Sequence, residues 1–124
     1  MVPAGSIIDR SGVSIDPDEF RDVMFAKMPT VMRTVMGGGA EAITLGERIF
    51  VQPKSFDAVI AGARPGLVVH ELVHVTQWRS EGVWFLPKYV GQYLRFRLLG
   101  APHSAAYRAI SFEVDAFAAG AAAT

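Results

Sequence analysis

The chain predicts an α+β fold, mainly helical, with a small β-hairpin ahead of one apolar helix. Three observations carry that expectation. Residues 42–53 hold β-branched and aromatic residues on both sides of a Leu45-Gly46-Glu47 turn, the pattern of a hairpin. Residues 65–80 are framed by Pro65, which suits a first helical turn, and by Gly82, which can close a helix. Residues 86–99 then place Leu86, Tyr89, Val90, Tyr93, Leu94 and Phe96 at helical spacing.

The other elements follow in chain order. Residues 6–15 read as a short strand pair or an ordered arm. Asp16-Pro17-Asp18-Glu19 reads as a helix start: Asp16 can cap, Pro17 fits the first position and Glu19 completes a capping box. Phe20, Val23 and Met24 would form the apolar face of that helix, and Pro29 would end it. Residues 31–36 allow another turn or two, stopped by Gly37-Gly38-Gly39. Residues 55–61 read as a short helix, and residues 104–119 as a last one.

Composition bounds the function. With 124 residues, the chain (1–124) is expected to form one domain. Lysine plus arginine number 12 and aspartate plus glutamate number 12, so no electrostatic case exists for nucleic acid. No apolar run approaches the ~18 residues of a transmembrane helix. Met1-Val2-Pro3-Ala4-Gly5 lacks the basic and apolar regions of a signal peptide, which makes a cytoplasmic location the expectation. Cysteine is absent, which removes thiolate ligands and thiol catalysis together.

The most informative segment is His70-Glu71-Leu72-Val73-His74. Two histidines four apart lie one turn above each other on a helix face, a spacing that lets both imidazoles grip one zinc ion, with the intervening glutamate beside it as general base. Leu67, Val68, Val69, Leu72, Val73 and Val75 make this helix apolar on most sides, so it is expected to be buried. Buried imidazoles and a carboxylate are costly unless something satisfies them, and a metal would. Gln77 returns to the histidine face, either as a hydrogen-bonding partner near the metal or as an ordinary polar residue at a helix end.

A catalytic zinc needs three protein ligands and one open position. Ser80 and Gln77 stand where a metzincin would carry its third histidine and its glycine, so that arrangement is excluded. The candidates are Glu81, His103, Glu113 and Asp115. In a continuous last helix the neighbours of Glu113 are Ala109, Ile110, Ala116 and Phe117, all apolar, whereas Asp115 shares a face with Arg108, Ser111 and Phe112. A lone carboxylate on an apolar stripe needs a cation, which favours Glu113 as ligand; the alternative is a buried ion pair with Arg95 or Arg97. His103, in the loop before that helix, reads as a helix cap or as a proton donor near substrate.

With these residues in place, the chain resembles the gluzincin-type zinc metallopeptidases, which carry HExxH on one helix and a glutamate on a later one. His-Glu-Leu-Val-His-Val-Thr-Gln, followed by Tyr107-Arg108-Ala109-Ile110-Ser111-Phe112-Glu113, is similar more narrowly to small bacterial metallopeptidase-like domains with an HELxHVxQ core. The resemblance covers about residues 43–118. It implies a zincin-like fold, His70, His74 and Glu113 as ligands, and Glu71 as base. The E-x-x-x-D signature of thermolysin-like enzymes is absent, since Phe117 stands in place of the aspartate.

Such an enzyme hydrolyses peptide bonds, with Glu71 taking a proton from water and passing it to the leaving amine. Tyr107, Tyr93 and His103 are candidates for stabilising the oxyanion. The hairpin ending in residues 49–52 would offer an edge strand to a peptide or protein substrate. Two other classes remain open. One is a non-catalytic zinc-binding interaction module, preferred if His103 or Asp115 supplied a fourth ligand. The other is a peripheral membrane domain, suggested by the aromatic and basic stretch 84–99; a core-facing role for that helix is the favoured reading.

Overall fold

The computed structural model describes residues 1–35 and 39–123. The stop at Gly37 and Gly38 therefore lies outside the described residues. Strand β1 (Val2–Pro3) leads into helix α1 (Ala4–Ser11), which buries Ala4, Ile7 and Ile8 on one face and closes on Gly12 at φ 70°. This replaces the expected strand pair: apolar residues three and four apart select a helix once a core is available to bury them.

The second expectation to fail is the helix from Asp16 through Met24. The cap forms, with Asp16 Oδ1 accepting from the Asp18 backbone N–H at 3.0 Å. The helix stops after one 3-10 turn, Pro17–Phe20, and Met24–Lys27 is strand β2. Phe20 and Val23 are buried, and β2 pairs in parallel with a later strand from Met24↔Arg48 to Lys27↔Val51. A central place in the sheet outweighs a good local helix start, because the start satisfies two or three donors and the sheet pairs a whole segment.

After Pro29, helix α2 (Thr30–Val35) buries nothing. The hairpin forms as expected, with β3 (Ala42–Leu45), a two-residue turn with Gly46 at φ 64°, and β4 (Arg48–Val51). The sheet order is β1-β2-β4-β3. Residues 49–51 are thus interior to the sheet, paired on both sides, and the edge that the hairpin presents is β3.

Helix α3 (Pro53–Ile60) leads to α4 (Pro65–Glu81), which buries Val68, Val69, His70, Glu71, Leu72, His74 and Val75 and packs against β3. Helix α5 (Phe85–Leu98) corrects the core-facing expectation, because Phe85 is its only buried residue. The last helix is two: α6 (His103–Ala109) and α7 (Ser111–Ala122), separated by Ile110 in an extended conformation at φ −59°, ψ 130°. Ile110 is fully buried, so the kink is held by packing. Gln92 of α5 supports it: its Oε1 accepts from the Ser111 N–H at 2.7 Å and its Nε2 donates to Ser111 Oγ at 2.9 Å. No single helix among the described residues is long and apolar enough to cross a membrane.

Candidate metal centre

Helix α4 lies between the sheet and α7. Its apolar residues anchor it to the core formed by Ile7, Phe25, Ile49, Val51 and Val59. The histidines leave the same helix on the side of α7. Their rings sit edge to face with centroids 5.0 Å apart, as the four-residue spacing requires.

Glu113, in the first turn of α7, meets both. Its Oε1 lies 3.0 Å from His70 Nε2 and 2.9 Å from His74 Nε2. The three ligand atoms fall within 4.8 Å of one another, and the glutamate is 3% exposed. Three donors around a tetrahedral ion at zinc-like bond lengths stand about 3.3 Å apart, a few tenths of an ångström more than the two separations between Glu113 and the histidines. Two imidazole nitrogens and one carboxylate oxygen form a donor set that fits a divalent metal.

The hydrogen bonds around the cluster set its protonation. Gln77 Nε2 donates to the Phe112 carbonyl at 2.9 Å, which turns its Oε1 toward His74 Nδ1 at 2.8 Å. An amide oxygen only accepts, so Nδ1 carries a proton and Nε2 is the nitrogen left to bind a metal. Without a metal, Nε2 can also donate to Glu113, an arrangement that favours the charged imidazolium of His74. Burial opposes that charge, but the hydrogen bond to Glu113 and the charges of Glu71 and Glu113 outweigh it and raise His74 above its ordinary pKa. Burial likewise pushes the Glu113 carboxyl up, yet the bonds to His70 and His74 bring it down to about 2.

Tyr89 of α5 donates to the other oxygen of Glu113 at 2.6 Å, and burial raises its phenol. Glu71 stands apart from this set. It is buried, which raises its carboxyl, and its Oε2 accepts from the Thr44 hydroxyl of β3 at 2.7 Å. Trp78 of α4 closes the contact by donating its indole N–H to the Thr44 carbonyl at 3.1 Å.

The other expected site residues fall as follows. Tyr107, on α6, is near Glu113, whose charge adds to burial in raising the phenol, and its ring packs edge-on to Phe117 at 6.0 Å. His103 is exposed and pairs through Nδ1 with the Tyr93 hydroxyl at 2.8 Å. Asp115 is exposed, as its polar neighbours imply. Neither Arg95 nor Arg97 is among the hydrogen-bond partners found for Glu113. Neither Thr44 nor Tyr89 is marked as a site residue by the sequence. Tyr89 is visible there only as one member of an apolar helical pattern, and no local signal ties Thr44 to a residue 27 positions later.

The molecule is thus an α+β domain with a buried His-His-Glu cluster able to hold a metal ion. The family model of the eCIS core domain matches residues 9–82, more than half of the chain, and the chain belongs to that family. The match takes in strands β2, β3 and β4 and all of the histidine helix, and ends before α5, which brings Tyr89, and α7, which brings Glu113. No curated protein and no solved structure matches the chain.

Proposed function

We propose that the protein is a zinc-dependent peptidase of the gluzincin type on a zincin-like fold, with His70, His74 and Glu113 as metal ligands and Glu71 as general base. The observation that carries this reading is the division of labour between two glutamates. Glu113 Oε1 lies at both histidine Nε2 atoms, while Glu71 is held off that set by Thr44. Zinc in such a site supplies Lewis acidity, polarising a carbonyl and acidifying water.

The chain's own residues do the rest. Gln77 keeps the Nε2 of His74 free for ligation, and Tyr89 ties down the second oxygen of Glu113. Burial raises the affinity of Glu71 for a proton, which suits a group that must take one from water and return it to a leaving amine. Tyr107, beside Glu113, is positioned better than His103 to donate to an oxyanion, since His103 is exposed and engaged with Tyr93. The substrate would be an extended peptide or protein segment, and β3 is the sheet edge that flanks Glu71.

A structural zinc module would close the ion with four protein ligands. Among the described residues the convergent group has three, and His103 and Asp115 are exposed, which supports an open position.

Glu71→Gln is the deciding variant. It should retain about one zinc per chain, the stoichiometry of a single three-ligand site, and should lose hydrolysis of a peptide library that the wild type cleaves. A variant that loses zinc as completely as His70→Ala would make Glu71 a ligand and not a base. A wild type that binds zinc and cleaves nothing would favour the non-catalytic module.

A further inference from the structure

Helix α5 presents two unlike sides. At 100° per residue, Tyr89 and Gln92 point toward the body of the molecule, where they hold Glu113 and Ser111. The opposite side carries Leu86, Val90, Leu94 and Leu98, one per turn, and Val83 and Trp84 extend the stripe beyond the helix start. These side chains stand well out of the surface: Val83 is 84% exposed, Trp84 63% and Leu98 87%. Seven exposed large apolar residues, counting Leu99, fall within residues 83–99, a concentration of the kind that marks an interaction surface.

Charge says what this stripe faces. The whole chain is neutral, yet residues 82–112 hold Lys88, Arg95, Arg97 and Arg108 and no carboxylate. Lys88 is paired with Glu81 at 2.6 Å, and Arg97 donates to the Ala101 carbonyl while keeping its charge. By the same helical spacing Arg97 lies within the stripe and Arg95 flanks it beside Leu98, while Lys88 falls on the other side of the helix. Two copies joined through this face would set these like charges against each other. A convex row of leucines and a tryptophan bordered by cations is complementary to an anionic lipid surface, into which the apolar chains sink while the cations meet the headgroups.

We propose that α5 is an amphipathic docking helix by which the protein lies on an anionic bilayer, with the His70–His74–Glu113 cluster on the side away from the lipid. This proposal stands on the exposed stripe and its charge, and does not depend on the metal or on catalysis.

The test is co-sedimentation of the full chain with vesicles of phosphatidylcholine, with and without about 30% phosphatidylserine. Binding should require the anionic lipid and weaken in about 0.5 M NaCl, where screening is short-ranged. Leu94→Glu with Leu98→Glu should abolish it; both positions are exposed, so the variant should keep the wild-type circular dichroism. Arg95→Ala and Arg97→Ala should each weaken binding about fivefold. Val35→Glu, at an exposed apolar site on α2, should bind as the wild type does. Failure to bind anionic vesicles would overturn the proposal, as would binding indifferent to the leucine pair. A dimer in light scattering that the leucine pair dissolves would assign the face to a second copy instead.

Discussion

A metal ligand is only as good as the groups that hold it, and the most consequential single side chains here are Gln77 and Tyr89. Gln77 fixes the tautomer of His74 because its own amide is fixed by the Phe112 carbonyl. Tyr89 leaves Glu113 one oxygen free for the histidines. Gln77→Leu and Tyr89→Phe should each lower zinc affinity by about 10- to 100-fold, the usual cost of losing a supporting hydrogen bond, as measured by competition with a chelator. The same assay separates two carboxylates that lie close in sequence. Glu113→Ala should cost most of the affinity, whereas Asp115→Ala, on the exposed face, should change it by less than about tenfold. Equal losses from these two alanine variants would contradict Glu113 as the ligand.

At the scale of elements, the site depends on how closely α7 approaches α4. Gly120 makes that approach possible: a Cβ there would lie 2.7 Å from the Gly66 carbonyl oxygen and 3.4 Å from His70 Cβ. Gly120→Ala should push the helices apart, costing about 1–3 kcal/mol as overpacking does. It should also lower metal affinity, because Glu113 and His70 sit on the two helices that separate. Urea unfolding with and without zinc would show both effects; a variant that loses stability without losing affinity would mean that Glu113 follows the histidines by itself. The kink at Ile110 works in the same direction. It begins α7 at Ser111, so Glu113 falls in a first helical turn, and Gln92 satisfies the N–H that the break exposes.

For the molecule as a whole, the cluster makes stability depend on pH in a way a metal should reverse. Glu113, depressed to about 2, contributes stability present above its ordinary value of 4.5 and lost as pH falls toward 2. His74 is raised, so its contribution is complete below 6.5 and is lost as pH rises above it. Glu71, raised by burial, likewise erodes stability as pH climbs past 4.5. The metal-free protein should therefore be most stable in mildly acidic solution and weaken through neutrality. On the proposed function zinc would take the place of a proton at His74, so it should raise the melting temperature more at about pH 8 than at about pH 5. Thermal melts at the two values, with zinc and with a chelator, check this; an equal zinc effect at both would count against proton displacement at His74.

Much of the molecule follows from sequence alone where one local pattern suffices. The hairpin needs only Gly46 between β-forming runs, and α4 needs only Pro65, Gly82 and the apolar run between them. The His70–His74 pair is a consequence of helical pitch, and the burial of Glu113 follows from apolar neighbours, although the helix that supplied them is broken at Ile110. Tertiary structure decided what depends on segments distant in the chain. Residues 24–27 became a strand because β4 was there to pair with them, against a sound helix cap at Asp16. The outward face of α5 was decided by where the core ran out, since the spacing of its leucines is the same whether they meet a core or solvent. Thr44 on Glu71, and Tyr89 on Glu113, join residues 27 and 24 positions apart. Helical pitch and turn geometry act over a few residues and are written locally, whereas a side chain's partner across the fold is set only when packing brings the two together.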